Sequence, residues 1–193
     1  MHRTRWRTLT AGFAAAFLST IDASAQMTIQ RTTNSPTVGA AFGDLLTEGS
    51  DRFVRDVTVL LDLPLAPKWH VRTEVGRGTY MFAPRDGRPP HAPRDAVSLT
   101  RFTVGAIESL ESSGWLDVYV GGGGGIYHFA FDPRSGAPAT RAGVFAVAGE
   151  RVPANAPLSI AAEIQGHFTR SPRTSPNNVD VIVTASVGVR LLF

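Results

Sequence analysis

Three residues near the C-terminal end have the types that nucleophilic catalysis needs. His167-Phe168-Thr169 puts an imidazole and a hydroxyl two residues apart, and Asp180 supplies a carboxylate further on. A hydroxyl becomes a nucleophile when a neighbouring base takes its proton. A second set is ionic and spread along the chain: Asp56, Asp62, Arg72, Glu74, Arg101, Asp117, Arg141, Glu163, Asp180 and Arg190. A third is an arginine pair, Arg55 and Arg77, whose planar guanidiniums suit bidentate contacts with an anion. Residues 121–125 are all glycine. No Lys-Ser or Lys-Thr follows them, as a phosphate-cradling loop would require. The chain has no cysteine, which excludes disulfides and thiolate metal sites. No metal and no cofactor are expected.

Strands must position these groups, because side chains alternate with a period of two and no segment shows a helical period. The segments are expected at 36–46, 53–63, 69–82, 97–110, 115–131, 140–151, 158–170 and 179–193. The last is the clearest. Val179, Val181, Val183, Ala185, Val187, Val189, Leu191 and Phe193 take one face, while Asp180, Ile182, Thr184, Ser186, Gly188, Arg190 and Leu192 take the other. In the seventh, Leu158, Ile160, Ala162, Ile164 and Phe168 oppose Ser159, Ala161, Glu163, Gln165 and His167. The second and third segments alternate likewise, with Asp56, Thr58 and Asp62, then His70, Arg72 and Glu74, on the polar face. Frames for the first, fourth and sixth are less clean. On these frames the ionic set shares one face, and Arg55 and Arg77 lie on the other, almost opposite each other.

Connections after the second, fourth and sixth segments are tight, at 64–67, 111–114 and 153–157. Those after the third, fifth and seventh are longer and rich in Pro, Gly and Arg, above all 83–96. Short turns at one rim and longer loops at the other, around an even number of strands, are the pattern of a barrel crossing an outer membrane. Aromatic residues fall near both ends, as interfacial belts do. Trp69, Trp115 and Phe193 belong to the turn end; Phe53, Tyr80, Phe82, Phe129, Phe131 and Phe168 belong to the loop end. Parity turns Trp115, Phe82 and Phe129 inward, either through a slip of frame or as rings that plug the barrel mouths.

The N-terminus reads as an export leader. Arg3, Arg5 and Arg7 precede an apolar run over residues 9–18, followed by Ala23-Ser24-Ala25. That order matches the basic region, apolar region and small-residue cleavage site of a signal peptide, with cleavage expected after Ala25. Residues 26–35 form a polar lead-in and 36–193 the barrel. The net charge is +3. The leader holds three Arg and one Asp, so it contributes +2 and leaves +1. That balance gives no reason to expect nucleic acid as a partner. No later run reaches the ~18 apolar residues of a membrane helix.

With these segments in place, the chain resembles the small outer-membrane β-barrel superfamily that includes the OmpA transmembrane domain and OmpX-like proteins. The resemblance rests on residues 36–193. Val187, Val189 and Leu191 alternating into Phe193 is similar to the C-terminal signal read by the barrel-assembly machinery. The Gly-rich stretch Val118 to Tyr127 and the stretch Ala161 to Phe168 resemble the family's fifth and seventh strands. The resemblance implies an all-β, closed, eight-stranded antiparallel up-and-down transmembrane barrel in the outer membrane. It is expected to be a monomer in contact with lipid and lipopolysaccharide. No peptidoglycan-binding domain is expected after Phe193.

Within that frame each constellation has a bland and a sharper reading. An eight-stranded lumen is just wide enough to be filled by side chains, and buried charges need partners. Arg72, Glu74, Arg101, Asp117, Arg141, Glu163, Asp180 and Arg190 are therefore expected to form an ion-pair plug. The alternative is a narrow gated pore. His167, Thr169 and Asp180 are similar to the His-x-Ser and carboxylate of a lipid A deacylase built on such a barrel. Here Thr replaces Ser, Arg170 replaces Asn and Asp replaces Glu, so an enzyme is not expected. Arg55 and Arg77 either reach upward into water or straddle a lipopolysaccharide phosphate. A soluble lipocalin-type barrel would need its apolar rows turned inward. The expected function is a non-enzymatic structural or surface-interaction role at the outer membrane.

Overall fold

The computed structural model describes residues 35–47, 54–82, 95–112, 115–131, 137–154, 156–170 and 179–193. The expected leader, and the loop arginines Arg85, Arg88, Arg94 and Arg173, lie outside the described residues. The eight strands are β1 (Thr37–Thr47), β2 (Val54–Ala66), β3 (Trp69–Phe82), β4 (Asp95–Ser112), β5 (Asp117–Phe131), β6 (Ala139–Val152), β7 (Leu158–Arg170) and β8 (Val179–Leu192). They pair in sequence order, each neighbour antiparallel, and β8 closes on β1. The expected all-β closed barrel is borne out, with most strand limits within two or three residues of those read from the alternation.

The register fixes the barrel's shape. One ladder row runs Gly39, Leu60, Glu74, Thr103, Gly125, Gly143, Thr169, Asp180. Gly39 also pairs directly with Arg190. The row therefore returns to β8 ten residues away from where it began (190 minus 180). Ten residues at ~3.3 Å against eight strands at ~4.8 Å give a strand tilt of about 40°. β2 slips register between Pro64 and Ala66, next to a proline that cannot donate to the ladder.

The two faces have opposite chemistry. Outward positions carry exposed Phe42, Val59, Val75, Phe102, Ile126, Val144, Ile160, Val187 and Val189. Inward positions include Asp56, Asp62, Arg72, Glu74, Arg101, Glu163 and Arg190, all buried. This is the reverse of a lipocalin-type interior. The lumen also has an apolar segment toward the loop end. Leu45, Val97, Leu99, Tyr127, Phe129 and Ile182 form one buried cluster with Phe131 against it.

Two aromatic expectations need correction. Trp115 is 66% exposed and lies just before β5, so strand parity does not govern it. Phe131, placed with the outward belt, instead packs partly buried against the lumen cluster, beside Phe129, which is fully buried there as its parity indicates. Trp69, Phe168 and Phe193 do face out.

Candidate functional site in the barrel lumen

Lumen positions on six strands converge on one connected polar network. Asp62 and Arg72 are cross-strand partners on β2 and β3. Arg72 donates from Nε and Nη2 to the two oxygens of Asp62, at 2.7 and 2.9 Å. Its Nη1 donates to Glu163 Oε1 on β7 at 2.7 Å. The same oxygen accepts from Tyr119 on β5 at 2.6 Å and from Arg190 on β8. Gln165 Nε2 then links Glu163 to Glu74, at 3.2 and 2.9 Å. Glu74 accepts from Arg101 Nε at 3.2 Å, and Arg101 grips both oxygens of Asp56 at 2.6 and 2.7 Å and Thr58 at 2.7 Å. Such forked arginine–carboxylate contacts are the strong, orientation-fixing kind.

Glycines make this crowding possible. A Cβ at Gly76 would stand 2.4 Å from Arg101 Cζ, so the guanidinium lies directly on the β3 backbone. At Gly39 a Cβ would meet Arg190 Cδ at 2.5 Å, and at Gly149 the Tyr119 hydroxyl at 2.7 Å. Within the glycine run, a Cβ at Gly123 would fall 2.1 Å from the Val104 carbonyl oxygen. The run is thus a close backbone approach inside a strand.

The turn end holds a separate pair. Arg151 and Asp117 face each other across β5 and β6, 2.7 Å apart. They border a pocket of about 20 Å³ shared with Asp62, His70, Arg72, Ser109, Tyr119 and Arg190. That is room for about one water.

The expected ionic set divides as follows. Arg72, Glu74, Arg101, Glu163 and Arg190 lie in the central network, with Asp117 in the outlying pair. Arg141 does not join them: it is only partly buried and donates to its neighbour's carbonyl, Thr140 O, at 3.1 Å. The reason is height, since β6 brings Arg141 to the loop-end rim, above the carboxylates. Asp180 lies opposite Thr169, also toward that rim. Arg151, Tyr119, Gln165 and Thr58 take part without having been singled out. Arg151 was within reach of the sequence, because ten residues separate it from Arg141 and preserve its parity.

His167 and Thr169 both face inward. His167 is fully buried, with Nδ1 3.1 Å from the Tyr127 hydroxyl. Thr169 donates to the Ala142 carbonyl at 3.2 Å. The hydroxyl points its proton at a backbone acceptor rather than at the imidazole, and neither group faces the outer surface from which a lipid would arrive.

Arg55 and Arg77 are exposed on the outer face. Their expected near-opposition is corrected by the register: Arg77 is opposite Val57, while Arg55 is opposite Asp44 on β1. The turn between β2 and β3 sits lower than the alternation suggested, which offsets the two arginines by two residues.

At the level of sequence the chain matches no family model and no curated protein. Its fold matches Neisserial surface protein A (NspA) with a TM-score of 0.57 at 15% identity, covering 82% of this chain and 96% of that one. The chain has the fold of the small outer-membrane β-barrels. The outer membrane protein OprG from Pseudomonas aeruginosa is similar with a TM-score of 0.52 at 11% identity, over 86% of this chain and 99% of that one. A de novo designed transmembrane β-barrel matches with a TM-score of 0.51 at 13% identity, over 86% and 100%. A barrel designed without a natural ancestor shares this fold, so the fold carries no function by itself.

Proposed function

We propose that this chain is an outer-membrane β-barrel with a sealed, non-conducting lumen and a structural or surface-interaction role, without enzymatic activity. The observation that carries this reading is the inversion of polarity between the two faces. Exposed Phe, Ile, Val and Leu cover the outside, and arginine–carboxylate clusters fill the inside. Apolar surface turned outward around a charged interior is favourable only where the surroundings are hydrocarbon. Strands of 11 to 18 residues reach or exceed the ~9–11 that cross a bilayer.

The lumen supports the absence of conduction. An ion would have to displace forked pairs from Arg72 and Arg101, then pass the ring cluster around Phe129. Two measurements test the reading. Refolded protein should migrate differently on a gel with and without boiling. It should also show no steps in planar-bilayer recording, including after Glu163→Ala. Unaltered migration would remove the membrane barrel. Discrete conductance in the wild type would replace the sealed lumen with the gated-pore reading.

A further inference from the structure

We infer that the outer face of β3–β6 holds a site for the phosphate of an outer-leaflet lipid, seated over Thr100 between Arg77 and His128. This rests on the membrane reading above. The ladder places Arg77 opposite Thr100, Thr100 opposite His128, and His128 opposite Thr140. All four are exposed on the outer face. The outward row just below, Val75, Phe102, Ile126 and Ala142, is wholly apolar and follows the same partners. Polarity therefore changes completely between two successive outward rows on four adjacent strands.

That juxtaposition specifies an amphiphile. Neighbouring strands are ~4.8 Å apart, so an anion over Thr100 has a guanidinium one strand away on one side and an imidazole one strand away on the other. His128 Nδ1 shares a 3.0 Å hydrogen bond with Thr140 Oγ1, which orients the ring and leaves Nε2 as its second polar atom. Arg77 faces Val57 across the ladder, whereas Arg55 faces Asp44. Arg77 is thus the arginine whose cross-strand neighbour supplies no carboxylate, and its fork suits phosphate oxygens. Phe102, 49% exposed, and Ile126, 54% exposed, lie where an attached acyl chain would run. A free inorganic anion would use the upper row alone; a phosphorylated lipid uses both.

The full chain refolded in detergent can be tested by native mass spectrometry. The probes are bis-phosphorylated lipid A, the same lipid without its phosphates, and inorganic phosphate. Wild type should retain the phosphorylated lipid and not the dephosphorylated one. Arg77→Ala should lower retention by about fivefold or more, Arg77→Lys by less, and Arg55→Ala by no more than about twofold. Inorganic phosphate should not displace the lipid. Equal retention by wild type and Arg77→Ala, or equal retention of the two lipids, would overturn the site. Displacement by inorganic phosphate would overturn the lipid as its occupant. Gel migration of the same samples separates the two failures. A barrel that shifts on boiling yet ignores the phosphate loses only this site, and one that does not shift loses the membrane reading too.

Discussion

The middle of the lumen and its loop-end mouth are filled in two different ways on the same inward face. In the middle, Arg72, Arg101 and Arg190 meet Asp56, Asp62, Glu74 and Glu163 through directed bonds. At the mouth, Leu45, Val97, Leu99, Tyr127, Phe129 and Ile182 fill space without charge. The ionic layer depends on matching donors to acceptors, so every member constrains its partners. The apolar layer depends on volume, so a side chain of similar size can stand in. The difference shows that strand parity selects what faces inward, while height along the axis selects the chemistry that seals it.

This contrast can be broken from either side. Arg72→Ala should have the largest effect, about 3–5 kcal/mol of lost stability, because it strands Asp62 and weakens Glu163 in a buried site. Denaturant unfolding in detergent micelles measures it. Arg72→Met should recover little, since the carboxylates stay unpaired. Phe129→Ala should cost about 3 kcal/mol by leaving a cavity in the mouth cluster, and Phe129→Leu should restore most of that. If both layers respond to size alone, the distinction between them fails.

Smaller changes sharpen the same contrast. Gly76→Ala adds a single methyl, but against Arg101 it should cost about 1–3 kcal/mol. The same change at Gly124, where a Cβ meets only the Gly143 carbonyl oxygen at 3.6 Å, should be close to neutral. Tyr119→Phe removes one of the donors to Glu163 Oε1 and should cost about 1 kcal/mol, read from the unfolding midpoint. A cost as large as that of Arg72→Ala would move the centre of the network from the arginines to the tyrosine.

Much of the barrel was legible in the chain. Alternation in the second, third, seventh and eighth segments assigned Arg72, Glu74, Glu163 and Arg190 to the inside, because period two leaves a strand only two faces. Arg141 was assigned by the same parity, yet it sits at the rim, since parity contains no information on height. Trp115 was misassigned because it precedes its strand. The offset of Arg55 from Arg77 was hidden for a different reason. Register depends on where the β2–β3 turn closes, and it closes between Ala66 and Trp69, beyond the Leu65–Ala66 centre that the alternation indicates.

Sequence alone determined the number of strands, their approximate limits and which face of the clearer ones is charged, because these follow from side-chain alternation and turn residues along a single segment. Only the tertiary structure decided which carboxylate each arginine grips, that Asp44 stands opposite Arg55, and that Arg77, Thr100, His128 and Thr140 form one outer row. Those relations join residues on different strands. They follow from the register of each neighbouring pair, and no single strand encodes that register.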